Sequence, residues 1–312
     1  MDEKVAAVLV FIFAFHPMQV ESVAWVSAFS NLLSAFFYLF SLWCYQKHLA
    51  NGKQKFYWLS FGLFAFACLF KSVAVTLPVV LIAVDYFHYG ELKKVNWLNK
   101  IPFLLLSVLL GLVTIYSRES AGHLSDLSVQ FEIWERIYLV SYSILFYPLK
   151  FLIPFSLSAF YPYPESVDGS LPLLVFFSLP VLLLILFVLW KYRLNRDVWF
   201  GPLFFLISIS LTIHLIPVGN QITTDRYIYL PMVGFLLLLA NLIRKLPMKS
   251  GIYLLFLIPF LFAFQSRERS SIWASDRSLW EDVLSNYPRV AQAHNNLGSY
   301  HLERGDAQLA MK

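Results

Sequence analysis

Long apolar runs separated by short polar loops repeat along most of the chain. A backbone surrounded by lipid must satisfy its own hydrogen bonds, so these runs are predicted to be helices, and the alternation typical of strands is absent. The pattern predicts an all-α polytopic membrane protein of about ten transmembrane or re-entrant helices. The runs are residues 5–15, 25–45, 56–70, 73–87, 101–116, 137–155, 171–190, 200–217, 227–243 and 252–264.

The composition agrees with this class. Of the 312 residues, 59% are hydrophobic and 14% are charged, whereas soluble domains carry about 25% charged residues and cannot hide so much apolar surface. The net charge of +5 does not indicate nucleic-acid binding, because the basic residues lie in short loops between apolar runs. Cys44 and Cys68 both lie inside apolar runs, so neither a disulfide framework nor a cysteine metal site is predicted.

The distribution of lysine and arginine among the loops predicts the orientation of the helices. The basic loops 47–55, 93–100, 191–196 and 244–249 are predicted to lie inside, and the loops 16–22, 118–135, 156–170 and 218–226 outside. The run 137–155 lies between two outside loops and is interrupted by Pro148, Lys150 and Pro154. A re-entrant or interfacial segment there restores the alternation. An ordinary span with one misassigned loop is the alternative.

The chain changes character near residue 266, where charged amphipathic segments replace the apolar runs. We therefore expect a membrane domain over residues 1–266 and extracytoplasmic helices over residues 267–312. Asn295, Leu297 and Gly298 fit the first helix of a tetratricopeptide repeat. A lone repeat does not bury its own apolar face, and the first apolar run is short for a span. We therefore expect the sequence to be truncated at both ends.

Two charged residues stand at the predicted outer ends of apolar runs. Glu21 follows His16 and Pro17, about one turn into a helix. It is a candidate to orient an acceptor hydroxyl or hold a divalent cation, or it is a helix-start carboxylate stabilised by the dipole. Lys71 interrupts an otherwise apolar stretch. Its ammonium is a candidate partner for a lipid phosphate, or it snorkels at a tight turn between two helices.

A short stretch that begins at Thr224 places an acid, a base and two phenols at the start of an apolar run. Thr224 is predicted to cap a helix, with Asp225 in its first turn, and Pro231 to kink that helix. Arg226 suits bidentate phosphate binding, and Tyr229 follows one turn later. The alternative is an Asp–Arg pair that anchors the helix end.

An aromatic–proline run, residues 160–165, lies beside the interrupted segment. Tyr161 and Tyr163 are suited to stack on a sugar ring or to pack on a prenyl chain. The alternative is an interfacial aromatic belt with a proline-fixed loop. Asp85 lies at the predicted inner end of its run, and we interpret it as an interface anchor outside the site.

Taken in order, these strings resemble the transmembrane-and-tetratricopeptide-repeat (TMTC-type) family in its prokaryote-like form. The resemblance covers nearly the whole chain, and the ordered set of strings is specific. The strings are His16-Pro17 with residues 21–27, Lys71 with residues 74–78 and 85–86, residues 100–103, 160–164 and 225–231, and the Asn-Leu-Gly of residues 296–298.

The resemblance implies a GT-C-type integral-membrane glycosyltransferase of the protein O-mannosyltransferase kind. It would use a polyprenyl-phosphate-linked sugar on the extracytoplasmic or lumenal face of a bacterial-type cytoplasmic membrane or the endoplasmic reticulum, and its repeats would engage an acceptor protein. Arg226, Lys71 and Tyr229 would hold the lipid phosphate, and Glu21 would support the acid that takes the acceptor's proton. The pocket would be shaped by His16, Tyr161, Tyr163, Asp225 and Tyr227.

Two features depart from the family's pattern. The family's acidic catalytic motif precedes the His-Pro string and is not in this chain, and Phe29-Ser30-Asn31 stands where the family has Arg-x-Asp. We therefore expect that residues 1–312 alone do not transfer sugar. The sequence indicates no cofactor with certainty, and the need for a divalent metal is left open. The competing functions are a non-catalytic membrane scaffold that presents repeats to protein partners, and a transporter for a lipid-linked substrate. We find no inverted internal symmetry that would favour the transporter.

Overall fold

The computed structural model describes residues 3–91, 95–120, 131–164, 171–191, 196–213, 220–244 and 255–310. The described chain is mostly helical, as the hydrophobic pattern predicts. Its first helices are α1 (Glu3–Phe15), α2 (Val20–Ala24), α3 (Phe29–Asn51), α4 (Gln54–Phe70), α5 (Leu77–Tyr89), α6 (Ile101–Ser120) and α7 (Ile133–Leu152). They are followed by α8 (Leu173–Lys191), α9 (Arg196–Ile209), α10 (Met232–Ile243), α11 (Leu257–Ile272), α12 (Asp276–Asn286), α13 (Ala291–Glu303) and α14 (Ala307–Ala310).

Four helical segments of the described chain are long and apolar enough to cross a membrane: Val26–Asn51, Ser72–Tyr89, Leu98–Ser117 and Leu173–Lys191. A fifth span results if α1 and the helical segment after it, bent by 52°, form one broken span. Many large apolar side chains of the last two segments are exposed, an arrangement that suits lipid and not water. These helices indicate a membrane protein. The ten predicted spans and the side that each loop faces remain predictions.

Within the described residues, three clusters of buried apolar side chains hold helices α1 to α10 together. One joins α3, α4, α5 and α6 around Phe64 and Phe103, and a second joins α7, α8, α9 and α10 around Tyr147. A third joins α1 to α10. Helix α9 belongs to both of the first two clusters, because Phe204 packs in one and Phe205 in the other. The packing of α10 on α9 therefore positions the residues just before α10, which carry part of the site.

Two prolines act differently from the sequence prediction. Pro148 does not break the run around it, because α7 is continuous through that position. A proline removes one backbone donor, and the other helical hydrogen bonds stay in place. Pro231 does not kink a helix. It precedes the first residue of α10 with φ −60°, a value suited to a helix start, and a 3-10 turn, Asp225–Ile228, lies before it. Thr224 precedes that turn without a side-chain cap hydrogen bond.

The C-terminal helices pack on the aromatic–proline run. Helix α11 is continuous across residue 266, the expected domain boundary. Helices α12 and α13 pack on each other around Val283 and Ala293, and Phe160 joins the same cluster. The hydroxyl of Ser275 caps α12 by accepting from the backbone N–H of Ser278 at 3.1 Å. The amphipathic segments thus form helices, whereas a tetratricopeptide-repeat fold remains a prediction.

The contact between α9 and α10 depends on two glycines. A Cβ atom on Gly201 would lie 2.4 Å from the carbonyl oxygen of Gly234, and one on Gly234 would lie 2.5 Å from the carbonyl oxygen of Gly201. Small residues allow this close approach of helices in membrane proteins. Because the obstructing atoms belong to the backbone, any side chain at either position would force the helices apart.

We expect Gly234→Ala to lower the free energy of unfolding by about 1–3 kcal/mol, the usual cost of overpacking a close contact. Gly111→Ala is the matched control, because nothing lies within 4 Å of a Cβ atom at Gly111. Thermal unfolding in detergent can be followed with a thiol-reactive dye that reports exposure of the buried Cys44 and Cys68. The midpoint should fall for Gly234→Ala alone, and equal midpoints for the two variants would contradict this packing.

Candidate functional site

An ion pair joins two segments that are 205 residues apart in the sequence. Nη1 of Arg226 donates to Oε1 of Glu21 at 2.5 Å, and the backbone N–H of Arg226 donates to Oε2 at 2.8 Å. The Glu21 side chain is 2% exposed and the Arg226 side chain 17%. Since both carboxylate oxygens accept from the same residue, Glu21 positions the backbone and the side chain of Arg226 together.

The local sequence explains how Glu21 reaches this position. Pro17 occupies the first position of a 3-10 turn, as predicted, and Nδ1 of His16 accepts from the backbone N–H of Met18 at 3.2 Å. The chain then enters α2, with Glu21 in its first turn. On the other side of the ion pair, Arg226 lies in the 3-10 turn before α10. The sequence left open a pair of Asp225 and Arg226 that anchors the helix end. In the structure Arg226 pairs instead with Glu21, which lies on a distant segment.

His16 links its loop to α7 and α11. Its Nε2 lies 3.0 Å from the carbonyl oxygen of Phe151, and its ring stacks on Phe151 with the centroids 5.2 Å apart. The ring also meets Phe262 edge-on at 4.7 Å. Because Nδ1 accepts and Nε2 donates, these contacts select the neutral Nε2–H tautomer. The structure thus places His16 among aromatic rings, where it supports the Glu21 loop.

Lys71, Arg226 and Tyr229 line one narrow pocket. The ammonium of Lys71 donates to Oδ1 of Asn31 and lies 5.5 Å from the ring centre of Tyr227. The guanidinium of Arg226 lies 5.2 Å from the same ring. The structure therefore brings Lys71 close to Arg226, Tyr227 and Tyr229, although Lys71 lies far from these three residues in the sequence.

Asp225, the neighbour of Arg226, pairs with Tyr161. The hydroxyl of Tyr161 donates to Oδ1 of Asp225 at 2.9 Å and accepts from the backbone N–H of Ser158 at 2.9 Å. Burial, followed by the negative charge of Glu21, raises the pKa of Asp225 to about 8. At neutral pH the Asp225 carboxyl therefore favours its protonated form, and Glu21 is the ion-pair partner of Arg226.

The aromatic–proline run lines a second and larger groove. Its strand β1 (Tyr161–Pro162) pairs in antiparallel orientation with β2 (Gln221–Thr223), and both strands line a groove of about 690 Å³. Tyr163 and Tyr287 also line it, and the ring centre of Tyr287 lies 6.2 Å from that of Tyr161. The tyrosines of the run therefore belong to this groove and not to the pocket of Lys71 and Arg226. Glu165, the end of the run, lies outside the described residues.

Sequence reasoning gave no role to four polar residues that line the narrow pocket: Asn31, Ser34, Ser208 and Thr212. Asn31 and Ser34 are three residues apart on α3, so they share one face of that helix. Two polar side chains on one face of an apolar helix were the available signal. Thr212 follows α9 and carries no comparable signal.

Asp85 lies in a separate buried cluster. Nζ of Lys100 lies 2.5 Å from Oδ2 of Asp85, and the hydroxyl of Tyr45 donates to Oδ1 at 2.8 Å. All three side chains are fully buried. The interpretation of Asp85 as an interface anchor is therefore wrong: it is half of an internal ion pair. The sequence could not reveal this, because the partner lies on another element, beyond a loop.

A divalent cation at Glu21 stays a prediction. Within the described ranges, no group of three or more His, Cys, Asp or Glu side chains is placed to hold a metal ion. Glu21 itself already accepts two hydrogen bonds from Arg226. A cation there would have to compete with the guanidinium for the same oxygens.

Comparisons with known proteins give limited support to the family resemblance. No protein-family model matches the chain, and no solved structure matches it. Protein O-mannosyl-transferase F38B6.6 from Caenorhabditis elegans is 33% identical to it over 103 residues, which is 30% of this chain and 15% of that protein. The chain thus spans well under two thirds of the relative's length. The similarity is therefore distant and partial.

The raised pKa of Asp225 predicts how stability depends on pH. A carboxyl whose pKa is higher in the folded protein makes the fold less stable as pH rises. The loss begins near the carboxyl's ordinary pKa, continues to about 8 and levels off above that value. For one carboxyl the slope is at most about 1.4 kcal/mol per pH unit. Thermal midpoints should therefore decline with pH in the wild type and decline less in Asp225→Asn, whose amide does not ionise. Parallel profiles for the two proteins would contradict the raised pKa.

Proposed function

We propose that this chain binds a polyprenyl-phosphate-linked sugar at a membrane interface, as part of a glycosyltransferase of the protein O-glycosyl or O-mannosyltransferase type. The observation that carries the proposal is the pocket shared by Lys71, Arg226 and Tyr229. Two cations and a phenol around one pocket match the needs of a phosphate, which takes charge-assisted hydrogen bonds from each of these groups.

The surroundings of both cations support phosphate binding. A guanidinium has five N–H donors in a planar fork, and the Glu21 side chain engages Nη1 of Arg226. Lys71 donates to the neutral amide of Asn31. A carboxylate at position 31 would compete with a phosphate for the ammonium, whereas the amide of Asn31 carries no charge. We therefore assign Asn31 the role of orienting Lys71 towards the donor phosphate.

Glu21 has a positioning role in this proposal. Both of its oxygens accept from Arg226, so taking a proton from an acceptor hydroxyl would disrupt a buried ion pair. Arg226 and Lys71 would bind the donor and stabilise the phosphate as it leaves. Sugar transfer then needs a base other than Glu21, and we propose that the chain alone binds the donor without turnover.

The partial similarity to Protein O-mannosyl-transferase F38B6.6 supports the reaction class, with a protein as the second substrate. We place the site on the extracytoplasmic or lumenal face. Two segments that carry it, residues 16–22 and 218–226, are poor in lysine and arginine, which is typical of loops that are moved across the membrane.

We expect Lys71→Gln and Arg226→Gln each to weaken the binding of a polyprenyl phosphate by about tenfold or more, because a hydrogen bond to a charged group contributes about 1.5–3 kcal/mol. The measurement uses the full chain in lipid nanodiscs and a fluorescent polyprenyl phosphate. Lys55→Gln is the matched control, because Lys55 is exposed on α4.

Arg226→Gln leaves Glu21 unpaired, so the double variant with Glu21→Gln is measured as well, to separate donor binding from misfolding. Asn31→Asp should also weaken binding, since its carboxylate would neutralise Lys71. A non-catalytic scaffold requires all these variants to bind the lipid like the wild type. That result would overturn the proposed function.

A further inference from the structure

Helix α11 lies beside the part of the chain that joins α1 to α3, which is called the connecting segment below (residues 15–25). At the start of this segment, the ring of Phe262 meets the ring of His16 with the centroids 4.7 Å apart. The hydroxyl of Ser266 donates to the carbonyl oxygen of Phe15 at 2.8 Å. Helix α11 therefore holds the connecting segment where it leaves α1.

The contact continues to the far end of the connecting segment. Phe262, Ser266 and Arg269 are spaced four and three residues apart, so they lie on one side of α11. Trp273 follows directly after the helix and stacks on Trp25, with the ring centres 6.1 Å apart. The connecting segment is therefore held at both of its ends.

Arg269 links α11 to the C-terminal helices. Its Nη1 donates to Oδ2 of Asp282, on α12, at 2.7 Å, and the two side chains are 8% and 18% exposed. An ion pair with so little contact with solvent is screened less than a surface pair. The position of α12 is therefore linked, through α11, to the connecting segment.

Trp25 also contacts Arg226. The guanidinium carbon of Arg226 lies over the Trp25 ring, 5.1 Å from its centre. Trp25 follows Glu21 by four residues, and its backbone N–H donates to the Glu21 carbonyl oxygen at 3.2 Å, so the two side chains share one face of the same helical turn. Glu21 engages Nη1 of the guanidinium, and Trp25 engages its face. Contacts at an edge and at a face together fix the plane of the guanidinium and the direction of its N–H donors.

We propose that Trp25 is a positioning residue for Arg226, and that α11 holds Trp25 in place through Trp273. Binding of a lipid phosphate then depends on the docking of α11 and, through the pair of Arg269 and Asp282, on the C-terminal helices. A guanidinium that is already oriented loses less freedom when the phosphate binds, so the contact with Trp25 raises affinity. Because Arg226 is given a phosphate ligand here, the inference rests on the proposed function.

The first measurement is the binding of a fluorescent polyprenyl phosphate to the full chain in lipid nanodiscs. We expect Trp25→Ala to weaken binding by about threefold to tenfold, the contribution of a cation–π contact. Trp25→Phe keeps an aromatic face and should recover part of that loss. Trp273→Ala removes only the ring behind Trp25 and should weaken binding by about twofold or more. Trp190→Ala is the matched control, because Trp190 is exposed on α8 and does not line the narrow pocket.

Combined variants separate the positioning of Arg226 from a general disturbance of the site. Trp25→Ala should have little further effect in Arg226→Gln, where no cation lies over the ring, and should keep its full effect in Lys71→Gln. Trp273→Ala should add nothing to Trp25→Ala. Equal effects of Trp25→Ala in the two backgrounds would show that Trp25 does not act through Arg226, and would overturn the inference. Thermal midpoints show that each variant is folded.

The second measurement needs no lipid. Hydrogen exchange, followed by mass spectrometry, reports how firmly Glu21 holds the backbone N–H of Arg226. Trp273→Ala should raise the exchange rate in peptides that cover the 3-10 turn before α10, although Trp273 is not part of that turn. Trp190→Ala should leave this rate unchanged.

The two measurements distinguish a failure of this inference from a failure of the proposed function. Unchanged exchange in Trp273→Ala would overturn the inference, and so would lipid binding that is lost in Lys71→Gln but unaffected in Trp25→Ala. Either result would leave the donor site standing. If the wild type binds no polyprenyl phosphate while Trp273→Ala still alters the exchange, the proposed function is wrong and the positioning of Arg226 by α11 is supported.

Discussion

The ion pair between Glu21 and Arg226 is the contact on which the rest of the site depends. Glu21 accepts from the guanidinium of Arg226 and also from its backbone N–H. The ion pair therefore holds the whole 3-10 turn against α2, and not only the Arg226 side chain. The turn in this position brings Asp225 to Tyr161 on one side and Tyr227 between two cations on the other. Removing one partner of a buried ion pair costs roughly 3–5 kcal/mol, because the other charge is left buried and unpaired, so the loss of either residue would disturb the meeting of these distant segments.

The two concave sites differ in charge because different segments line them. The narrow pocket takes its cations from Lys71 and Arg226, whereas the groove takes tyrosines and prolines from the β1–β2 ribbon and the C-terminal helices. Asp225 lies between them and is held neutral by burial and by the negative charge of Glu21. In the proposed function the narrow pocket is the part that binds the lipid phosphate, because it holds both cations.

The sequence was sufficient to predict the helical class, the helix start at Pro17 and the cations of the pocket, because hydrophobic period and isolated charges are local signals. It was insufficient where a partner lies elsewhere in the chain. The local sequence predicts that Glu21 orients an acceptor hydroxyl, holds a cation or is stabilised by the helix dipole, and it does not reveal Arg226 as the partner. The prediction for Asp85 fails for the same reason, since Lys100 lies on another element. The narrow pocket also includes Asn31, whose bond to Lys71 depends on how α3 and α4 pack.

The most direct test of the account is a cryo-electron microscopy structure of the chain in lipid nanodiscs with a bound polyprenyl phosphate. The account predicts phosphate density at hydrogen-bonding distance, ~3 Å, from Nζ of Lys71 and from the guanidinium of Arg226, with Glu21 still in contact with Arg226. Phosphate density at any other position, with the Lys71 and Arg226 side chains unchanged, would contradict it.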